Sequence, residues 1–239
     1  MTATEQPVAL VTGASRGLGA AVGLALANAG VRPVLVARTQ GGLEEVDDAI
    51  RAAGGEATLL PLDLADGAAL DQLGPSLFAR FGRLDILVHC AASLGRLTPA
   101  EHILPQDWDA CVAVNQSAVW RLIRGCAPLL RAAPAGRAVF VTDEVARLPR
   151  AYWGTYGATK AAAASLVLCW AEELRQTRLR VNLVDPGPMA TALRRAAMPG
   201  EDQSELAHPA DIAPRLLPLC MPDETRHGEI IRLQPAAGG

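Results

Sequence analysis

Short apolar runs alternate with longer amphipathic or alanine-rich stretches along the chain. The short runs are apolar at consecutive positions, which is typical of strands buried on both faces of a parallel sheet. Glycines close several longer stretches, as Gly30 does after the first one, and mark helix ends. This pattern predicts strands at 8–12, 34–37, 58–62, 84–90, 138–142, 180–184 and 230–233. It predicts helices over 17–29, 43–53, 68–81, 106–132 and 152–176.

Strands separated by helices predict a doubly wound α/β fold, a Rossmann-type parallel sheet in a three-layer αβα arrangement. No repeat, low-complexity tract or linker interrupts the pattern, so residues 1–239 are interpreted as a single domain. The segment 187–208 is long for a connection between a strand and a helix. We interpret it as a loop or lid over a substrate.

Composition narrows the class of protein. The 239 residues are 50% hydrophobic and 20% charged, which excludes an intrinsically disordered chain. A net charge of −3 gives no electrostatic reason to expect nucleic acid or an anionic membrane as a partner. The polar start at 1–7 lacks the layout of a signal peptide, and no apolar run reaches the ~18 residues of a membrane span. A cytoplasmic protein is expected.

The cysteines give no sign of a metal or disulfide framework. Their number is odd and no C-x-x-C pair occurs, so reduced, buried thiols and no metal site are expected. The cysteines are Cys90, Cys111, Cys126, Cys169 and Cys220.

A glycine-rich segment joins the first predicted strand to the first predicted helix. It reads Thr12-Gly13-Ala14-Ser15-Arg16-Gly17-Leu18-Gly19, a T-G-x-x-x-G-x-G spacing. Glycines permit a tight turn and close approach of a pyrophosphate, and the helix N-terminus supplies free N–H groups. Because the cluster follows a strand and opens a helix, it favours a dinucleotide site over a turn needed only for packing.

The second strand is followed by a basic residue where NAD-binding folds place an acid for the ribose 2′-hydroxyl. Arg38 stands there, and Arg38 and Arg16 could hold a 2′-phosphate through charge-assisted hydrogen bonds. We therefore predict NADP(H), with NAD less favoured; two ordinary surface arginines are the alternative. After the third strand, Asp63-Leu64 could border adenine, or Asp63 could cap the next helix.

Tyr156 and Lys160 have the spacing Y-x-x-x-K within the last long predicted helix. Residues four apart share a helix face, so Lys160 can place its charge beside the Tyr156 hydroxyl. That charge favours phenolate and should lower the tyrosine pKa toward the range of an acid–base catalyst. Alone, such a pair is common on helix surfaces; the glycine-rich segment gives it weight.

Together these residues resemble the short-chain dehydrogenase/reductase family over essentially the whole chain. The resemblance rests on 12–19, Asp63, Asn115, Tyr156, Lys160, Pro186-Gly187 and Thr191. The segments 153–156, 180–182 and 209–212 are also similar to a bacterial subgroup of unassigned substrate. The resemblance implies hydride transfer between NADP(H) and a carbonyl or secondary alcohol, and a homodimer or homotetramer formed through the helices at 106–132 and 152–176.

The resemblance also implies residue roles. Tyr156 would exchange a proton with the substrate oxygen, and Lys160 would bind the nicotinamide ribose and tune Tyr156. Asn115 would hold a water that links Lys160 to solvent, or simply be a buried polar group bonded to backbone. Pro186, Gly187 and Thr191 would position the nicotinamide, or Pro186-Gly187 would be only a turn. The implied cofactor-binding residues are Gly13, Ser15, Arg16, Gly17, Leu18, Gly19, Arg38, Asp63, Leu64, Cys90, Ala91, Tyr156, Lys160, Pro186, Gly187 and Thr191.

The end of the fourth strand departs from the family pattern. The family usually carries Asn-Asn-Ala-Gly there, whereas this chain reads His89-Cys90-Ala91-Ala92. We interpret Cys90 as a small buried residue rather than a reactive thiol. We interpret His89 as a packed histidine rather than a ligand.

Asp143 stands where the family carries the serine that steadies the substrate oxygen. A carboxylate ~4 Å from a phenolate repels it by about 4 kcal/mol at an effective dielectric of ~20, which opposes Lys160. Three outcomes are open: a protonated Asp143 that donates a hydrogen bond, a contact to a cationic or hydroxylated substrate, or a catalytically weak site.

The substrate side is mostly apolar, and its arginines leave an anionic substrate open as an alternative. The apolar candidates are Leu94, Leu148, Tyr152, Trp153, Met189, Leu193 and Met198. The arginines are Arg147, Arg150, Arg194 and Arg195.

The leading hypothesis is an NADP(H)-dependent carbonyl reductase or alcohol dehydrogenase. The alternative is an NADP(H)-binding sensor or scaffold of low activity, which Asp143 and Cys90 favour and the set Asn115, Tyr156 and Lys160 opposes. An epimerase or dehydratase ranks lower, because those relatives are usually longer and have a different glycine spacing.

Overall fold

Seven parallel strands form one sheet in the order β3-β2-β1-β4-β5-β6-β7 in a computed structural model that describes residues 6–234. The predicted polar start falls mostly on residues 1–5, which lie outside the described residues. The strands are β1 Val8–Thr12, β2 Arg32–Ala37, β3 Thr58–Pro61, β4 Ile86–His89, β5 Arg137–Val141, β6 Arg180–Asp185 and β7 Ile230–Arg232. The helices are α1 Gly17–Asn28, α2 Gln40–Ala52, α3 Gly67–Asp71, α4 Leu73–Phe81, α5 Pro105–Val112, α6 Ala118–Ala132, α7 Gly154–Glu173, α8 Ala192–Ala197 and α9 Pro209–Leu216.

Helices cover both faces of the sheet, which confirms the predicted doubly wound fold. Alternate strand side chains point to opposite faces, so Leu10 of β1 joins one core cluster and Val11 joins the other. The first cluster is completed by α4, α6 and α7, and the second by α1, α2 and α9. Because both faces are buried, the strands read as continuous apolar runs.

The strand order reverses beside β1. The chain runs outward through β2 and β3, then returns to add β4 on the other side of β1. Thr12 and His89 end their strands as register partners across this point. In open parallel sheets, a crevice forms at the carboxyl ends of the strands where the order switches. The topology therefore places a ligand site beside the glycine-rich segment.

Two predicted helices contain interruptions. The helix predicted over 68–81 is divided at Gln72 into α3 and α4. Pro75 lies in the first turn of α4, where its ring conflicts with a continued helix through Asp71. The helix predicted over 106–132 contains a π-helical segment, Ala113–Ser117, between α5 and α6.

Helices α8 and α9 were not predicted from the pattern. Helix α9 is short and contains Pro214, which a pattern-based interpretation takes as a helix breaker. It begins at Pro209, and the His208 side chain accepts a hydrogen bond from the Ala210 amide at 3.3 Å. Burial of Ile212 against the core adds the packing that propensity alone lacks.

The expectation of buried cysteines is wrong at one position. Cys169 lies exposed on α7, because it falls on the face of the helix turned away from the sheet. Cys111, Cys126 and Cys220 are buried and Cys90 is partly buried, and all five thiols are free. Among the described residues, no helix is both long enough and apolar enough to cross a membrane.

Candidate active site

A cleft of about 1350 Å³ opens at the carboxyl edge of the sheet, beside the point where the strand order switches. Every predicted cofactor-binding residue lines it, from the glycine-rich segment to Thr191. Asp143 lines the same cleft, together with Tyr156 and Lys160. Asn115 does not line it.

The glycine-rich segment forms a tight cradle at one end of the cleft. Gly13 has a φ of +67°, and a Cβ there would lie 2.8 Å from the Ala91 backbone. A Cβ on Gly19 would lie 2.3 Å from the Gly13 carbonyl oxygen. Arg16 precedes α1 and makes no side-chain cap, so no side chain blocks the helix N-terminus. Bare backbone at a helix N-terminus fits a dinucleotide pyrophosphate.

The two arginines proposed for a 2′-phosphate are solvent-accessible. Arg16 is exposed, and the Arg38 side chain is 71% exposed with its Nη1 atom 4.0 Å from a carboxylate oxygen of Asp63. Neither guanidinium is committed to a buried ion pair. Both can therefore turn toward an anion at the mouth of the cleft.

Asp63 is not the N-cap of the next helix, so that alternative is wrong. Its Oδ1 atom accepts a hydrogen bond from the Ala65 amide at 2.9 Å within a turn. The cap of α3 is Asp66, which accepts from the Ala69 amide at 3.0 Å. Asp63 thus shapes the loop after β3, and its other carboxylate oxygen lies 4.0 Å from the Arg38 guanidinium.

Tyr156 and Lys160 lie on one buried face of α7 and reach the same part of the cleft. The Lys160 ammonium donates a hydrogen bond to the Val141 carbonyl at 2.6 Å, which holds it at the end of β5. Burial lowers the pKa of Lys160 to about 8, against the opposing effect of Asp143. This backbone acceptor has no side-chain pattern and could not be read from the sequence.

The expected lowering of the Tyr156 pKa is wrong for this site. Burial raises the pKa well above its ordinary value, and the Asp143 carboxylate raises it further through its charge and a hydrogen bond from the phenol. Lys160 does not offset these effects. The tyrosine is therefore a buried phenol that keeps its proton at neutral pH beside the Asp143 carboxylate.

Asp143 shares the cleft with Tyr156 and Lys160 and with Arg194 of the segment 187–208. Its Oδ1 atom accepts a hydrogen bond from the Val145 amide at 3.0 Å and caps the short 3-10 turn Glu144–Ala146. The hydrogen bonds from Arg194 of α8 to Glu201 raise the pKa of Arg194, and the charge of Asp143 adds a smaller effect in the same direction. Arg194 is held in a fork by Glu201, with N–O distances of 2.6 and 2.5 Å.

The Asn115 side chain makes three hydrogen bonds within the protein. Its Oδ1 atom accepts from the Ser93 amide at 2.7 Å. Its Nδ2 atom donates to the Ser93 carbonyl at 2.8 Å and to the Thr159 hydroxyl at 3.0 Å. It lies in the π-helical segment Ala113–Ser117, where the regular helical hydrogen-bond ladder is interrupted.

An apolar wall lies beside Tyr156. Trp153 packs edge-on against the tyrosine at a ring-centroid distance of 5.8 Å, with Val145 and Ala197 in the same cluster. Of the predicted substrate-side residues, the cleft is lined by Leu94, Trp153, Met189, Leu193, Arg150 and Arg194. The remaining ones do not line it: Leu148, Tyr152, Met198, Arg147 and Arg195. Val145 lines the cleft and was missed, because a small apolar residue in a short turn has no distinctive pattern.

His89 and Cys90 are packed at the end of β4. His89 is buried, its Nδ1 atom lies 2.8 Å from the Thr12 hydroxyl, and its ring lies 5.9 Å from that of Phe140. Desolvation, with a smaller effect of Lys160, lowers the pKa of His89 to about 3. Burial raises the pKa of Cys90 to about 12, so its thiol is not a thiolate at neutral pH.

His89 should make stability fall with acid. In the unfolded chain His89 has its ordinary pKa of 6.5 and is protonated below that pH. In the folded protein it is protonated only when the pH falls to about 3. Stability present above pH 6.5 is therefore lost toward pH 3. Between pH 7 and pH 5, wild type should lose about 2 kcal/mol more unfolding free energy than His89→Asn. Urea titrations at both pH values measure this difference; equal losses would contradict it.

The parallel sheet, glycine cradle and Tyr–Lys pair define an oxidoreductase that uses a nicotinamide dinucleotide. The family model described as short chain dehydrogenase matches residues 7–202. The chain therefore belongs to the short-chain dehydrogenase family.

Individual relatives agree with this membership. The chain is 36% identical over 222 residues to the uncharacterized oxidoreductase YciK of Escherichia coli K12, covering 92% of this chain and 87% of that protein. A short chain dehydrogenase structure from Pseudomonas syringae matches with a TM-score of 0.92 at 36% identity, covering 95% and 94% of the chains. One from E. coli CFT073, complexed with NADPH, matches at 0.91 and 35% identity, covering 96% and 97%.

Proposed function

We propose that the protein is an NADP(H)-dependent oxidoreductase that interconverts a carbonyl group and a secondary alcohol, with Tyr156 as acid–base group assisted by Lys160. The observation that carries this proposal is the placement of both side chains on one face of α7, in a cleft that begins at a glycine cradle. The relative complexed with NADPH supports the choice of cofactor.

The dinucleotide supplies or accepts the hydride when it is bound. The bare backbone of Gly13 and Gly17 would hold its pyrophosphate, and Thr191 and Gly187 would border the nicotinamide. The Tyr156 hydroxyl would protonate the carbonyl oxygen in reduction and take the alcohol proton in oxidation. Lys160, oriented by the Val141 carbonyl, would bind the ribose and stabilise negative charge on the phenolic oxygen.

Asn115 would act in proton transfer through its backbone. Its side chain is occupied by Ser93 and Thr159, so a water that links Lys160 to solvent would bind a main-chain carbonyl. The π-helical segment Ala113–Ser117 interrupts the regular helical ladder there, which would leave a main-chain carbonyl available as the acceptor.

Removing Arg38 should weaken NADPH binding about tenfold and leave NADH binding unchanged, because a charge-assisted hydrogen bond to an exposed phosphate is lost. Removing Arg16 as well should weaken NADPH binding further. Fluorescence titration of both dinucleotides with Arg38→Ala and the double variant measures this. Arg131→Ala, which removes an exposed arginine on α6, is the control. An equal loss for NADH would count against a 2′-phosphate site.

A carbonyl panel tests the proposed activity. We expect NADPH to bind and to be oxidised with at least one ketone or aldehyde. A second candidate function, a cofactor sensor or scaffold, is favoured by the raised Tyr156 pKa. Tight NADPH binding without turnover on any substrate would favour the sensor, and no binding of either dinucleotide would exclude both candidates.

We also propose a single domain, a lid over the cleft and an oligomer. Residues 1–239 would form one dinucleotide-binding domain, and 187–208 would be a lid that includes α8 and a bridge between Met189 and Ala207. A homodimer or homotetramer would form through α6 and α7. Trp120 on α6 is 46% exposed and suits such an interface.

A further inference from the structure

We propose that Asp143 selects substrates that carry a hydroxyl group on the carbon next to the reacting one, which are α-hydroxy ketones in reduction and vicinal diols in oxidation. This inference rests on the proposed function and names its substrate class. The Asp143 carboxylate only accepts hydrogen bonds, and it lines the part of the cleft where the substrate oxygen must meet Tyr156.

The carboxylate of Asp143 is fixed at the reacting end of the cleft. Its Oδ1 atom is held by the Val145 amide at 3.0 Å. Asp143 and Tyr156 line the same cleft, and the carboxylate lies close enough to raise the pKa of the phenol through its charge and its hydrogen-bonding capacity. Asp143 therefore competes with any substrate oxygen for the Tyr156 proton.

A simple ketone has no group that can draw Asp143 away from the Tyr156 proton. An ionised carboxylate and a carbonyl oxygen both only accept hydrogen bonds, so Asp143 cannot pair with the carbonyl and repels its lone pairs. A hydroxyl on the neighbouring carbon is a donor within one bond of the carbonyl. When it donates to Asp143, it replaces the Tyr156 hydroxyl, which is then free to turn to the carbonyl oxygen. The substrate hydroxyl thus contributes to binding and frees Tyr156 to act as the general acid.

The surrounding charges favour a neutral donor over an ammonium group. Asp143 already interacts electrostatically with the cations of Lys160 and Arg194. A third cation at this place would be repelled by both, whereas a hydroxyl would not. The wall formed by Val145 and Trp153 lines the cleft and suits an apolar remainder of the substrate.

The added hydroxyl leaves the reaction balance unchanged. In reduction, the carbonyl carbon accepts a hydride from the reduced nicotinamide, which is the two-electron reductant. The C=O π pair moves to oxygen, which takes its proton from Tyr156. The neighbouring O–H bond stays intact, because it only donates a hydrogen bond to Asp143.

Matched substrate pairs test the inference. We compare acetoin with butanone, and α-hydroxyacetophenone with acetophenone, as NADPH-dependent substrates. For wild type, kcat/KM should be roughly tenfold to a hundredfold higher for the hydroxy ketone, the range of a hydrogen bond to a charged group. Asp143→Ala should bring the ratio near one. Asp143→Asn, which keeps an acceptor oxygen, should be intermediate. Asp48→Ala, which removes an exposed carboxylate on α2, should keep the wild-type ratio.

Binding without turnover gives a second measurement. In Tyr156→Phe with NADPH present, calorimetry should show tighter binding of α-hydroxyacetophenone than of acetophenone. Adding Asp143→Ala should remove that preference. If no substrate of the panel is turned over, the proposed function is overturned. The binding comparison still tests the hydroxyl preference in that case. Turnover with equal rates for each pair would overturn the hydroxyl inference and leave the proposed function standing. Preference for aminoacetone over hydroxyacetone would overturn it in favour of a cationic substrate.

Discussion

Tyr156→Phe should lower kcat for carbonyl reduction by roughly a hundredfold to ten-thousandfold, the range that a positioned general acid contributes. The substitution removes one hydroxyl and keeps the ring, whose edge-on contact with Trp153 at 5.8 Å preserves the local packing. NADPH binding should stay within about twofold, because the pyrophosphate cradle lies at the other end of the cleft. Steady-state NADPH oxidation and a fluorescence titration of the same preparations measure the two quantities.

Tyr152→Phe is the matched control. The chain has two tyrosines, and Tyr152 is 61% exposed and lies outside the lining of the cleft. The same chemical change four residues away should therefore leave kcat unaltered. If Tyr156→Phe kept wild-type kcat, another group would have to move the proton. If both variants lost activity together, the loss would reflect the loop before α7 and not the phenol.

The elements that the sequence predicted well have a local physical cause. Continuous apolar runs identified the parallel strands, because both faces of the sheet are covered. The glycine-rich segment and the four-residue spacing of Tyr156 and Lys160 identified candidate residues that line one cleft. Each of these features depends on backbone geometry within a few residues.

The features that the sequence did not predict depend on contacts between distant segments. The pKa of Tyr156 rises because burial and Asp143 act together, and burial is set by the whole fold. Lys160 is held by a carbonyl of β5, which has no pattern in the sequence. Helix α9 forms despite Pro214, since its apolar face packs against the core. Spacing identifies candidate residues, but their electrostatics require the packed structure.

Asp143→Ser should speed the reduction of simple ketones about tenfold to a hundredfold. The serine hydroxyl can donate to the developing negative charge on the substrate oxygen, and loss of one such donor costs about a hundredfold to a thousandfold in other enzymes, which sets an upper limit for the gain. The change also removes the carboxylate that holds the Tyr156 proton. A serine can still accept from the Val145 amide, so the turn at Glu144–Ala146 should remain.

The same variant should shift the pH dependence of alcohol oxidation to lower pH. In that direction Tyr156 must accept a proton, so activity increases as pH rises toward the tyrosine pKa. Asp143 raises that pKa, and replacing it with serine lowers it, which increases the phenolate fraction at neutral pH. Profiles of kcat/KM against pH for wild type and Asp143→Ser measure the shift.

If the variant is no faster on simple ketones, shows an unchanged pH profile and binds NADPH as wild type does, then Asp143 does not restrain Tyr156. Asn in the same position separates charge from donor geometry, because Asp143→Asn removes the charge while keeping the size of the side chain. A shift shared by both variants assigns the effect to the charge, and a rate gain confined to the serine variant assigns it to the hydroxyl donor.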